Sequence, residues 1–271
     1  TGVQTCALPI YKTYNASTTA TLNTGSAAFV GVESGDTVTI GVGSATGAFA
    51  DKNVSNGKTV QVSGVTKSGT DAGNYTITQP TTTANITAKT LTVSGITAAN
   101  RVYDATTNAT ALLDKTSAVL SGVESGDTVT MSHASATASF ADKNVGSGKI
   151  VSIIGITIGG TDSGNYSLTQ PTTTANITAK TLTVTGITAS NRVYDATISA
   201  TALLSYGSAA LQGTETGDTV TLNTTQIAAV FLNKNVGTGK SVVVSGLTIS
   251  GTDSGNYTLT QPTTTANITA K

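Results

Sequence analysis

Over most of its length the chain repeats one sequence three times. Thr81–Lys89 reads TTTANITAK, and the same run returns at Thr172–Lys180 and at Thr263–Lys271, 91 residues apart at each step. Asp36, Asp127 and Asp218 keep that step, as do Phe49, Phe140 and Phe231, and Tyr75, Tyr166 and Tyr257. A period this long exceeds the roughly 20–50 residues of a solenoid unit and suits a whole small domain. The expected organisation is therefore a tandem array: residues 11–89, cut short, then 90–180 and 181–271. Such an array serves spacing, display or avidity better than single-site chemistry.

The first copy lacks the Leu91-Thr-Val-Ser-Gly-Ile and Leu182-Thr-Val-Thr-Gly-Ile that open the other two. Residues 1–10 stand in their place and match nothing else in the chain. They read like an in-frame translation of a sequencing-adapter oligonucleotide and are left out of the expected fold. With them goes Cys6, the only cysteine. Only 10% of residues are charged and the net charge is zero, so no stretch is basic enough to follow a phosphate backbone, and nucleic acid is excluded as a partner. No apolar run approaches the ~18 residues of a membrane span, so no membrane insertion is expected.

The second copy serves as template. Leu91 and Val93 alternate with threonines, the mark of a half-buried strand, until Gly95 imposes a bulge or bend. Val102-Tyr103, Val119-Leu120, Thr128–Met131 and Ala136–Phe140 continue the strand pattern, as do Ile150–Ile158 and Tyr166–Thr169, and Ala175 with Ile177 completes it. Glu124-Ser-Gly-Asp127 and Asp162-Ser-Gly-Asn165 are turns. Within the repeats proline enters as Pro80, Pro171 and Pro262, always after Gln, at strand entries or edges where no ladder donor is needed. Seven or eight short β-branched strands with frequent turns predict an all-β fold of tandem antiparallel β-sandwich, immunoglobulin-like domains. Asp162–Leu168 resembles a tyrosine corner, in which Tyr166 bonds back to upstream backbone; Leu168 stands where such domains carry a core cysteine. Asp71 with Tyr75, and Asp253 with Tyr257, repeat the motif, and Tyr103 and Tyr194 mark a second one.

Together, Val-Tyr-Asp-Ala-Thr, Phe-Ala-Asp-Lys-Asn-Val-Gly and Asp-Ser-Gly-Asn-Tyr-Thr-Leu-Thr-Gln-Pro resemble the YDG repeats of large bacterial surface exoproteins similar to filamentous haemagglutinins. The resemblance spans residues 11–271. It implies the stalk or passenger region of a two-partner-secretion adhesin at the cell surface or outside the cell, with no catalytic residues to carry over. One departure stands out: Ala105 and Ala196 occupy the place of the family's glycine, and the first copy has Ala16 there. That substitution argues against a positive-φ turn.

No residue pattern supports an enzyme. His133 is the only histidine, with Val42 and Thr224 in its place elsewhere, and reads as a solvent-facing strand residue. A nucleophile–base pair has no members to draw on. Glu33/Asp36, Glu124/Asp127 and Glu215/Asp218 read as turn-capping carboxylates, with calcium as the alternative, although two carboxylates supply too few of the six to eight oxygens calcium takes. Asn-x-Thr/Ser sequons at Asn85, Asn176 and Asn267, and at Asn74, Asn165 and Asn256, leave glycosylation open. The Thr172–Thr174 triplet is too sparse for an ice-binding face. The expected function is a non-catalytic spacer without cofactor or metal: a monomeric array, each repeat folding alone, with host glycan or protein contacts left to other parts of the parent. The alternative is a weak glycan- or protein-binding module acting through avidity.

Overall fold

The computed structural model describes the backbone of residues 2–5 and residues 11–271 in full; Cys6 lies outside the described residues. The fold is all-β. Among the described residues there is no α-helix, only single 3-10 turns such as Thr110–Leu112 and Ser163–Asn165. Contacts gather into two compact units that do not follow the sequence repeats. One comprises Thr1–Ile96, Lys115–Ala136 and Ile154–Pro171; the other comprises Thr97–Asp114, Thr137–Ile153 and Thr172–Lys271. The second repeat is shared between them.

In the first unit, the strands Lys12–Thr13, Thr81–Thr87, Ser55–Ser63, Thr46–Phe49 and Thr19–Ala20 form a five-stranded sheet in that order. A three-stranded sheet orders Val119–Ser121, Lys89–Ser94 and Tyr166–Leu168. The alternation read from the sequence is visible in burial: along Ser55–Ser63, Val60 and Val62 face inward between exposed neighbours. Tyr14, Phe49, Val60 and Ile86 of the first repeat share one core with Leu91 and Tyr166 of the second, and Leu120, Val129 and Leu168 pack against it. The core thus crosses the repeat boundary, unlike the expected repeat that closes on itself. One residue, Ala88, separates the strands Thr81–Thr87 and Lys89–Ser94, so the connector between the first and second repeats is a single residue.

The second unit is built alike. Arg101–Val102, Thr172–Thr178, Gly146–Ile154 and Thr137–Phe140 form one four-stranded sheet; Arg192–Val193, Thr263–Thr269, Gly237–Ser245 and Ala228–Phe231 form another. A three-stranded sheet orders Ala210–Gln212, Lys180–Thr185 and Tyr257–Leu259. Val184, Phe231, Val242, Val244 and Ile268 make its third-repeat core.

Several expectations are corrected. Pairing is not purely antiparallel, because Lys89–Leu91 runs parallel to Tyr166–Leu168, and Arg101–Val102 runs parallel to Ile177–Thr178. Residues 2–5 do enter the fold, pairing antiparallel with Ala27–Val30 much as Thr92–Ser94 pairs with Val119–Ser121. Gly95 does bend the chain: its φ is +80°, and a Cβ there would lie 2.0 Å from the Ser117 carbonyl oxygen. His133 falls just after the strand Thr130–Ser132, half-buried, with its carbonyl accepting from Lys115 Nζ at 3.2 Å. The positive-φ turn survives alanine, with φ of 57°, 59° and 65° at Ala16, Ala105 and Ala196. The preceding aspartate explains its persistence: Asp104 Oδ1 accepts from the Thr106 amide at 3.0 Å and pins the turn.

Candidate functional site: the joint between successive repeats

The turn Glu124-Ser-Gly-Asp127 closes through its own backbone, the Asp127 amide donating to the Glu124 carbonyl at 3.2 Å. Gly126 at φ +89° lets the chain reverse there, which aims the Asp127 carboxylate back under the turn. Its side chain has no exposed surface. A buried carboxylate must be paired and hydrogen-bonded, and this one has three donors. Tyr166 of the same repeat donates to Oδ2 at 2.6 Å, Tyr14 of the preceding repeat donates to the same oxygen at 2.7 Å, and Lys52 of the preceding repeat reaches Oδ1 at 2.5 Å. The two tyrosine rings meet edge to face, centroids 5.3 Å apart at 74°, a favoured aromatic geometry.

Around this clasp other groups join the repeats. Lys89, at the connector, pairs with Glu124 at 2.6 Å. Asn165 is buried; its Oδ1 accepts from the Val54 amide at 2.9 Å and its Nδ2 donates to Asn53 Oδ1 at 3.2 Å. Asp162 accepts from the Thr128 amide at 2.9 Å and lies 3.5 Å from Lys52. Burial works against ionisation of Asp127, but the bonds from Lys52, Tyr166 and Tyr14 outweigh it and hold its carboxyl at about 2. Tyr166 is pushed up to about 12 by burial and then by Asp127. Tyr14 moves up for the same reasons, and Lys52 is raised by its bonds to Asp127 and Tyr14.

The joint recurs in the second unit with every part moved one repeat on. Asp218 accepts from Tyr257 at 2.6 Å, Tyr103 at 2.7 Å and Lys143 at 2.6 Å. Tyr103 and Tyr257 stand edge to face at 5.3 Å and 77°. Lys180 pairs with Glu215 at 2.5 Å, and Asn256 accepts from the Val145 amide at 2.9 Å. Asp253 accepts from the Thr219 amide at 2.9 Å and lies 3.3 Å from Lys143.

Each tyrosine of the Asp-Ser-Gly-Asn-Tyr motif does touch upstream backbone, in a different manner from a tyrosine corner that donates a few residues back. Its hydroxyl accepts from the amide of the turn glutamate, Glu124 to Tyr166 at 2.9 Å and Glu215 to Tyr257 at 2.9 Å, and donates to the aspartate. In the first copy Tyr75 accepts from the Glu33 amide at 3.0 Å and donates to Asp36 at 2.5 Å, while Asp71 accepts from the Thr37 amide at 2.8 Å. Tyr194, the third-copy equivalent of Tyr14 and Tyr103, is only half-buried. The aspartate that joins the two tyrosine motifs and the lysine that pairs with it escaped the sequence reading as partners. Their signal was present: Asp-Lys-Asn or Asn-Lys-Asn, and Glu-x-Gly-Asp, return in every copy.

Chemically the joint is a saturated clasp. Asp127 and Asp218 spend their oxygens on hydroxyl and ammonium donors, two of the three in each case from the preceding repeat. Of the sequon asparagines, Asn74 is exposed and the other five bond within the fold through Oδ1. Asn165 and Asn256 are buried in the joints, and Asn85, Asn176 and Asn267 each accept a glycine amide at 2.7 Å, from Gly57, Gly148 and Gly239. Among the described residues no helix is long and apolar enough to cross a membrane.

A search of the curated proteins finds no match. Among solved structures, Drosophila N-cadherin EC1-4 is similar at 10% identity and a TM-score of 0.30, covering 96% of this chain and 72% of that one. A family model described as "YDG domain" matches residues 3–84, 87–175 and 178–266. Its period is the period of the joints, and most of the chain lies within the three matches. The chain belongs to the YDG domain family and carries three tandem copies of the domain.

Proposed function

We propose that these repeats are non-catalytic spacers of a secreted or surface-anchored bacterial exoprotein of filamentous haemagglutinin type, built from immunoglobulin-like sandwich modules, that hold a distal adhesive region away from the cell. The observation that carries this reading is the joint: its buried Asp–Lys–Tyr–Tyr cluster is reproduced at both junctions. A one-residue connector and a saturated polar clasp restrict bending between neighbours, and a spacer needs that restriction. Asp127 with Asp218, Tyr166 with Tyr257 and Lys52 with Lys143, each pair one repeat apart, are spent on joining copies to one another.

A repeated ligand-binding module would need the same opening in each copy. A cleft of about 260 Å³ beside Lys12, Leu22 and Phe49 belongs to the first repeat. In the later repeats a larger side chain covers the equivalent ring: Arg101 lies over Phe140 at 4.9 Å and Arg192 over Phe231 at 4.8 Å. The discriminating experiment is binding of one-, two- and three-repeat proteins to glycan arrays and immobilised matrix proteins. Flat background across the series is expected. A signal that climbs steeply with copy number would overturn the spacer reading in favour of avidity.

A further inference from the structure

The second and third repeats begin and end on strands that run parallel to one another. In the third, the opening residues Lys180–Leu182 lie parallel to Tyr257–Leu259, and Arg192–Val193 lies parallel to Ile268–Thr269 of the last strand. The second repeat pairs Lys89–Leu91 with Tyr166–Leu168, and Arg101–Val102 with Ile177–Thr178, in the same registers. Side chains brace these short ladders. The Asn176 amide donates to Asn100 Oδ1 at 2.7 Å, and the Asn267 amide to Asn191 Oδ1 at 2.7 Å. Thr178 Oγ1 donates to the Arg101 carbonyl at 3.2 Å, and Thr269 Oγ1 to the Arg192 carbonyl at 3.3 Å. Leu91, Leu182, Ile177 and Ile268, which these strands carry inward, are fully buried.

Strand direction decides how such pairs part under tension. A pull entering a repeat acts on the N-terminal end of its first strand, and the pull leaving it acts on the C-terminal end of its last. Tyr257–Leu259 leads through Pro262 into that last strand and is drawn the same way. In a parallel pair those two ends lie at opposite ends of the ladder, so the strands must slide and all cross-strand bonds are loaded together. In an antiparallel pair they lie at the same end, and the bonds break one after another. Sliding also draws buried Leu182 and Ile268 out of the core. Tyr103 ties this ladder to the joint: its amide donates to the Thr178 carbonyl at 2.8 Å and its hydroxyl to Asp218 at 2.7 Å. Only Ala179 separates the strands Thr172–Thr178 and Lys180–Thr185, so load leaving one parallel pair passes directly into the next.

We propose that the parallel terminal pairs form a shear clamp and that these repeats bear tension along the chain. The clamp of the third repeat is Lys180–Leu182 with Tyr257–Leu259 and Arg192–Val193 with Ile268–Thr269; the second repeat carries its counterpart one period earlier. Resistance of this kind is set by the unfolding rate under load rather than by the folding free energy. It follows from strand direction, and it is independent of whether the repeats act as spacers.

Single-molecule force spectroscopy of the whole chain tests the proposal by changing only the direction of pull. Gly255 precedes Tyr257 in the turn, and a Cβ there meets nothing within 4 Å. Gly255→Cys, with Cys6→Ser, therefore supplies one attachment point, and an unchanged denaturant midpoint verifies the fold. Pulled through its two ends, the chain loads the third repeat in shear, and that repeat is expected to open in one step of roughly 300 Å for a period of 91 residues. Pulled between the N-terminal end and position 255, the chain holds Lys180–Leu182 and Tyr257–Leu259 at the same end, and they unzip. Residues 180–255 are then expected to open by roughly 250 Å, at about half the force or less. The second repeat is sheared in both arrangements and is expected to keep its opening force. Equal force for the third repeat in both arrangements overturns the proposal, as does a second repeat that weakens alongside the third. Should Gly255→Cys lower the midpoint, Gly164→Cys, equally free of neighbours, carries the same test on the second repeat.

Discussion

Three tyrosines at one repeat position offer an internal comparison. Tyr14 and Tyr103 donate to a buried carboxylate of the next repeat, at 2.7 Å in both cases. Phe at either site keeps the ring and removes a bond to a charged acceptor, at an expected cost of about 1.5–3 kcal/mol. Tyr194 makes no such bond among the described residues, and Tyr194→Phe is expected to stay within about 0.5 kcal/mol of the parent. Denaturant midpoints of the three variants check the contrast; equal losses at all three sites would mean that the hydroxyl is unimportant to the joint. The same residues set the pH range. Asp127 falls from 3.8 to about 2 on folding, so below pH 3.8 the unfolded chain takes up protons the folded one refuses. Its contribution is complete above 3.8 and disappears as pH falls through 2. Tyr166 rises from 10.0 to about 12, so its contribution is complete below 10 and disappears as pH rises through 12. Unfolding midpoints are expected to be level between pH 4 and 10 as far as these two groups are concerned, and Asp127→Asn is expected to reduce the slope on the acid side.

At the scale of turns and strands, sequence and structure part company where chemistry other than patterning decides. Alternation of Val60 and Val62, or of Val151 and Ile153, was legible because a half-buried strand must alternate. The bend at Gly95 was legible because only glycine tolerates that φ beside a carbonyl. The turn at Ala105 was misjudged, because the side-chain bond of Asp104 compensates for the residue after it. Left-handed alanine is strained by roughly 1 kcal/mol. Ala105→Gly is therefore expected to stabilise by about 0.5–1 kcal/mol, read as a rise in the denaturant midpoint; a loss of stability would mean that the chain-entropy cost of glycine prevails. Parallel pairing of Lys89–Leu91 with Tyr166–Leu168 could not be read locally, since its partners lie 77 residues apart.

For the whole molecule, the period was legible and the packing partner was not. Repetition states that copies are alike; it does not state whether a core closes within a copy or across two. Here Tyr14 and Leu91, from different repeats, belong to one core. Residues 90–180 expressed alone would therefore leave Asp127 without Lys52 and Tyr14, and leave Tyr103 and Lys143 without Asp218. That fragment is expected to unfold at a lower denaturant concentration than the three-repeat chain, whereas a midpoint equal to the parent's would restore the self-contained repeat.

The joint has a consequence for how such a chain can change length. Its contributors sit at fixed offsets, Lys52 with Asp127 and Lys143 with Asp218. Removing residues 90–180 would set Lys52 and Tyr14 opposite Asp218, and Val54 opposite Asn256, with Lys89 in the place of Lys180. A whole period can thus be excised or inserted with both cut surfaces already matched, wherever in the period the cut falls. Length becomes a quantity adjustable in steps of one period, independent of the chemistry that holds the array together.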